Sequence, residues 1–150
     1  GVALVHAMEY PVGGAVHVSH GAGNGLLLPF VMRYNAAARA DEIGCLGLWL
    51  GGRAMIMGDA PVGDTSADAV ARSLQRTQAY FDDAVNQSIA AVEQLRKDIG
   101  IPTRLRDIGV TEDMLPGFAD KAFAIKRLMR VNPRVPQSAA EILEIYRAAY

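Results

Sequence analysis

Intrachain disulfides are excluded, because the 150 residues include a single cysteine, Cys45. A reducing, cytoplasmic setting is the expectation that follows, with Cys45 as a small buried hydrophobe. Aromatic residues make up only 7% of the chain, and β-branched runs are short, so a sheet has little to be built from. Neither sign of charge dominates: 15 Lys and Arg stand against 16 Asp and Glu, a formal net charge of −1. That balance leaves no electrostatic footprint for nucleic acid or an acidic membrane. The longest apolar run falls short of the roughly 20 residues that span a bilayer, and glycine interrupts it. No Gly-rich phosphate loop follows a strand pattern, so the bulk of any nucleotide site would lie elsewhere. There is no internal repeat or low-complexity tract. The chain opens on Gly1 and V-A-L-V-H, without a basic leader or cleavage site. It reads as the middle of a helix that begins upstream, not as a signal peptide.

What is present is apolar and helical. Hydrophobic residues account for 51% of the chain, enough for the core of one domain spanning 1–150. A first helix is expected over 1–12, with His6 and Tyr10 on one face. Proline disfavours helix in the residue before it, so this helix is expected to end near Tyr10-Pro11, with Gly13-Gly14 as the turn. A buried helix over 21–38, kinked at Pro29, comes next. The glycine-interrupted stretch 43–58 has no clear period and is expected to pack under other helices or to make a subunit contact through Trp49. Trp49 and the Met55–Met57 pair are otherwise expected in the core, and 59–64 is a loop. Thr65 or Ser66 caps a helix running to Ile99, as one piece or two, with Leu74, Phe81, Val85, Ile89, Val92, Leu95 and Ile99 as its stripe. Gly100 and Pro102 stop it. Thr111 opens a helix with a stripe of Phe118, Ala122, Ile125 and Met129 that Asn132-Pro133 ends, and S-A-A-E from Ser138 to Glu141 is a capping box for the last one. About six helices with short connections make an all-α helical bundle.

The chemistry concentrates in H-A-M-E-Y-P-V-G-G-A-V-H-V-S-H, from His6 to His20. A helix, a turn and a second helix can bring two imidazoles to one point, and both histidines have small or apolar neighbours. Neutral imidazole is a good ligand for iron, zinc and similar metals. Two histidines alone do not specify a metal, since hydrogen-bonded core histidines give the same pattern. A catalytic metal needs three or four protein ligands, so the others would come from upstream residues or a partner chain. Glu9 is set aside as a ligand, its side chain being expected about 100° from His6 around the helix. His17 is expected at a loop or cleft edge, Asn24 to serve the backbone, and Arg104 and Arg106 to form a solvated face.

The run from His6 to Asn35 resembles the signature of the iron-containing (group III) alcohol dehydrogenases. His6, the second histidine His20 fourteen positions on, Gly21, Pro29 and Asn35 occupy the signature positions. The later I-G-I-P and the closing N-P-R before a capped helix are similar to the family's C-terminal part. The resemblance implies the C-terminal helical domain of such an enzyme, without the N-terminal α/β nucleotide-binding domain, as a fragment of a longer chain. It implies a divalent metal, Fe2+ or Zn2+ or another ion, held by an upstream aspartate and histidine together with His6 and His20. It also implies NAD or NADP, bound mainly by the N-terminal domain, with no cofactor-binding residue assignable here. The partners implied are a small alcohol or aldehyde and further copies of the enzyme, as a homo-oligomer.

Where many members carry a second histidine beside the nicotinamide, four residues after the first helix ligand, this chain has Tyr10. As a phenol of ordinary pKa about 10, tyrosine is a poorer proton shuttle than imidazole. Tyr10 is thus either a cleft residue of the catalytic apparatus or a packed aromatic. The implied reaction is metal-assisted hydride transfer between an alcohol and NAD(P), with the isolated chain inactive. The alternative is a non-catalytic helical binding or assembly module with structural histidines.

Overall fold

Proline lies inside each of the first two helices, and in both cases a side chain from elsewhere donates to a carbonyl beside the break. In the computed structural model, which describes residues 2–50 and 66–150, helix α1 spans Leu4–Val16 and helix α2 spans His20–Trp49. Pro11 has no N–H for the Ala7 carbonyl, and the Tyr146 hydroxyl donates to the next carbonyl, that of Met8, at 2.5 Å. Pro29 likewise leaves the Gly25 carbonyl without its helical donor, and Arg96 Nη1 donates to the next one, that of Leu26, at 2.8 Å.

The expected end of the first helix at Tyr10-Pro11 is therefore corrected. α1 continues through Pro11, Gly13 and Gly14 because Leu4, Ala7, Met8 and Val12 are all buried along one side. Their burial and the Tyr146 bond outweigh the loss of one helical hydrogen bond. The chain turns instead at His17, whose φ of 56° and ψ of 28° lie in the left-handed region. Helix α2 is itself two helical pieces, broken at Arg39 (φ −146°, ψ 49°), so the expected end near 38 is correct.

Helix α3, Ala67–Asp98, is one continuous element. It ends in a Schellman motif, with Gly100 at φ 75° and its N–H on the Lys97 carbonyl while the Ile101 N–H reaches Arg96. Short 3-10 turns at Leu105–Ile108 and Glu112–Met114 lead into α4, Leu115–Ala124. Helix α5, Lys126–Met129, and helix α6, Ala139–Ala149, complete the fold. The single helix expected from Thr111 is thus corrected: it opens as a 3-10 turn and is divided at Ile125, whose φ of −82° and ψ of 64° are not helical. Ser138 Oγ accepts from the Glu141 N–H as expected, but Glu141 reaches back to the Gln137 N–H rather than to that of Ser138. Among the described residues there is no strand, and the architecture is the expected all-α bundle.

Two apolar clusters divide the molecule. The larger joins α1, the first part of α2, α4 to α6 and the 3-10 turns, around Leu4, Met8, Leu27, Leu115, Ile142 and Tyr146. The smaller, Met32, Ile43, Val85 and Ile89, lies between α2 and α3. There the backbones approach closely: a Cβ on Gly47 would stand 2.6 Å from Ser88 Oγ, and one on Gly44 would stand 3.0 Å from the Ala84 Cβ. The face of α3 turned to α2 is Val85, Ile89, Val92 and Arg96. The expected stripe is corrected at its ends, since Leu74, Leu95 and Ile99 are exposed. Position 96 turns inward in place of 95 because the Leu26 carbonyl takes a donor there. Cys45 is also corrected, being exposed on the outer side of α2. The Trp49 side chain, Met55, Met57, the Thr65 cap and the loop 59–64 lie outside what is described.

Candidate metal centre

The turn at 17–19 folds the start of α2 back along α1, which brings His20 against His6 and Tyr10. Ser19 caps α2, its Oγ accepting from the Ala22 N–H at 3.4 Å, and His20 follows in the first turn. The ring centroids of His6 and His20 are 5.6 Å apart with a tilt of 48°. Tyr10, one turn beyond His6, lays its ring over His20 at 5.8 Å and 22°. The three residues singled out from sequence thus converge. His17 does not join them; it is exposed at the turn.

Each ring nitrogen has a distinct environment. His6 Nδ1 is buried with no hydrogen-bond partner. His20 Nδ1 lies 2.5 Å from Glu9 Oε2. Asn24 Nδ2 donates to the His20 carbonyl at 2.8 Å, the expected backbone role. It also stands 3.2 Å from His20 Nε2, and Asn24 Oδ1 is buried without a partner.

Glu9 is the residue at this junction that sequence reasoning missed. Three positions on an α-helix advance by about 300°, so Glu9 lies about 60° from His6, not 100°, and faces the same junction. It is only 3% exposed. Two glycines make its space. A Cβ on Gly13 would stand 2.5 Å from Glu9 Oε1, and one on Gly23 would stand 2.8 Å from Glu9 Cγ. The signal available in the sequence was that glycine four residues after a glutamate on the histidine's helix. Beneath this group the Tyr146 hydroxyl has its pKa pushed well above the ordinary value, first by burial and then by the charge of Glu9.

The spacing of the two histidine rings is compatible with a shared cation. Imidazoles bonded to one ion at about 2.1 Å place their centroids roughly 5–6 Å apart, which the observed spacing matches. The unpartnered His6 nitrogen is the kind of atom a cation would occupy. Among the described residues no group of three or more His, Cys, Asp or Glu side chains is placed to hold a metal. The arrangement offers two ligands and not a complete set.

The family model for the Fe-containing alcohol dehydrogenase family, C-terminal, matches residues 1–150. The chain belongs to the iron-containing alcohol dehydrogenase family. It is 31% identical to lactaldehyde reductase of Escherichia coli K12 over 150 residues, all of this chain and 33% of the relative. It is 34% identical to 1,3-propanediol dehydrogenase of Klebsiella pneumoniae over 146 residues, 97% of this chain and 32% of that protein. The crystal structure of a 1,3-propanediol oxidoreductase superposes with a TM-score of 0.72 at 33% identity, covering 99% of this chain and 32% of that one. An alcohol dehydrogenase from Oenococcus oeni gives a TM-score of 0.72 at 29% identity, with the same coverage of 99% and 32%. The chain thus spans about a third of the length of these family members, which are alcohol and aldehyde oxidoreductases. Among the described residues no helix is long and apolar enough to cross a membrane.

Proposed function

We propose that this chain is the helical, metal-binding part of an NAD(P)-dependent alcohol dehydrogenase acting on a small alcohol or aldehyde, with His6 and His20 as two of the metal's ligands. The observation that carries this reading is the convergence of the two rings at 5.6 Å with His6 Nδ1 buried and unpartnered. A purely structural role would leave that nitrogen desolvated without a bond, a cost of about 1–3 kcal/mol. The non-catalytic alternative has no comparable support.

When bound, Fe2+, Zn2+ or another divalent ion would supply Lewis acidity at the substrate oxygen, and a nicotinamide cofactor would supply the hydride chemistry. The residues of this chain hold and shape that place. His6 and His20 present ring nitrogens from two helices whose mutual position the turn at His17 sets. Tyr10, 40% exposed and stacked on His20, walls the open side and carries a hydroxyl that can donate to or accept from a bound alcohol. The remaining ligands and most of the dinucleotide site belong to residues outside 1–150, so the whole is a single helical domain of a longer enzyme. The exposed Leu46 and Leu74 offer apolar surface for a homo-oligomer, and the single exposed thiol Cys45 suits a reducing cytoplasm.

Zn2+ titration of the chain, followed through histidine ring 15N resonances, tests the ligand pair. His6 and His20 are expected to shift together with one-to-one stoichiometry while His17 stays unmoved. Independent titration of the two rings, or no shift in either, overturns the reading. Turnover of an alcohol with NAD is expected to be absent from the chain alone.

A further inference from the structure

A buried carboxylate on an exposed histidine needs a reason. Glu9 is 3% exposed, whereas the His20 side chain retains 57% of its exposure. Burying a carboxylate beside one imidazole costs desolvation that a surface position would not. The site is nevertheless built for it: Gly13 on the same helix and Gly23 on the facing one leave the volume that the Glu9 side chain fills. The carboxylate meets Nδ1 of His20, and not His6 or solvent. An ionised carboxylate only accepts, so Nδ1 carries the proton, and in the neutral ring Nε2 then keeps the lone pair, with Asn24 Nδ2 at 3.2 Å from it.

We propose that Glu9 is a positioning residue, acting through His20 and touching neither substrate nor cofactor. It fixes the His20 tautomer and ring plane so that Nε2 is presented as the metal-binding atom. This inference rests on the ligand reading of His20. The arrangement is a carboxylate–histidine pair behind a metal, in which the outer hydrogen bond orients the imidazole and makes it a better electron-pair donor. The two glycines serve Glu9 by leaving the room its side chain fills.

The test uses the full 150-residue chain labelled with 15N at histidine, at alkaline pH where the imidazoles are neutral. In the wild type His20 is expected as the Nδ1–H tautomer. Glu9→Ala is expected to return it to the Nε2–H form that free imidazole side chains favour, and to weaken Zn2+ binding by about 10- to 100-fold. Glu9→Gln retains the volume, but its amide can donate as well as accept, so a mixture of tautomers and an intermediate Zn2+ affinity are expected. An Nε2–H majority in the wild type overturns the proposal even if a variant fails to fold. So does unchanged Zn2+ affinity in a folded Glu9→Ala chain, an outcome that leaves the ligand reading standing. If Zn2+ moves neither ring of the wild type while the tautomer is as expected, the ligand reading fails instead, and this inference with it.

Discussion

The bundle around α1 and the arm formed by α3 with the second part of α2 are both helical, yet they are held in different ways. In the bundle, long polar side chains reach across the fold to particular atoms. Tyr146 takes the Met8 carbonyl, and Asn35 and Asn132 exchange amide hydrogen bonds at 3.3 and 2.6 Å. Tyr34 donates to Glu141 at 2.7 Å. In the arm the contact is mainly a strip of small and aliphatic residues, with Gly44 and Gly47 against Ala84 and Ser88, and one directional bond crosses it, Ser88 Oγ donating to the Gly44 carbonyl at 3.2 Å. Arg96, stacked on Phe30 at 5.5 Å and bonded to Leu26, links the arm to the bundle. Several directional bonds to defined atoms fix geometry, whereas a strip of small residues with a single such bond fixes mainly distance. The paired histidines stand in the part built by the first method.

The largest test of this contrast pairs two core truncations. Tyr146→Ala is expected to cost about 3–5 kcal/mol and to raise amide exchange throughout α1 and α6, while Ile89→Ala costs about 2–5 kcal/mol. Exchange in Ile89→Ala is expected to rise in α3 and leave α1 protected. Uniform loss of protection from both variants would mean the regions are one cooperative unit.

Glycine substitutions give a smaller effect of opposite sign in the two places. Gly47→Ala drives a Cβ to 2.6 Å from Ser88 Oγ and 3.2 Å from its backbone nitrogen, with an expected loss of about 1–3 kcal/mol in urea unfolding. Gly14→Ala meets nothing within 4 Å on the exposed side of α1 and is expected to stabilise by about 0.5–1 kcal/mol. A stabilising Gly47→Ala would show that the arm is looser than its contacts imply.

The smallest effect is a pH dependence confined to the bundle. The Tyr34 hydroxyl, the Gln137 N–H and Arg134 hold the Glu141 carboxyl below the usual range, with Tyr34 the largest cause. Because the folded pKa is depressed, this contribution is complete above the ordinary glutamate value of about 4.3 and is lost as pH falls through the lower folded value. Chemical denaturation of Glu141→Gln against the wild type, stepped downward from pH 5, should show the two stabilities converging. A constant gap would remove Glu141 from the account.

Helix positions, the Gly100 stop, the Ser138 cap and the pair of histidines were legible because each depends on residues within a few positions of one another. The fate of Pro11 was not. Its local preference ends a helix, and the Tyr146 bond that helps carry α1 past it joins residues 138 apart in sequence. The inward turn of Arg96 and the exposure of Leu95 depend in the same way on a carbonyl of another helix. Glu9 differs: helical rotation alone places it near His6, so its direction was readable, and only its burial and its partner required the second helix.

By itself the sequence determined that this chain would be helical, where α3 and the first part of α2 stop, and that two imidazoles would flank one turn. Those outcomes follow from short-range propensity, capping and proline sterics. Tertiary structure alone decided that α1 runs on to Val16 and that Glu9 lies behind His20 in a notch between two glycines. It also decided that one His6 nitrogen is left without a partner. Each of these depends on atoms brought together from separate helices, where burial and an available donor outweigh local preference.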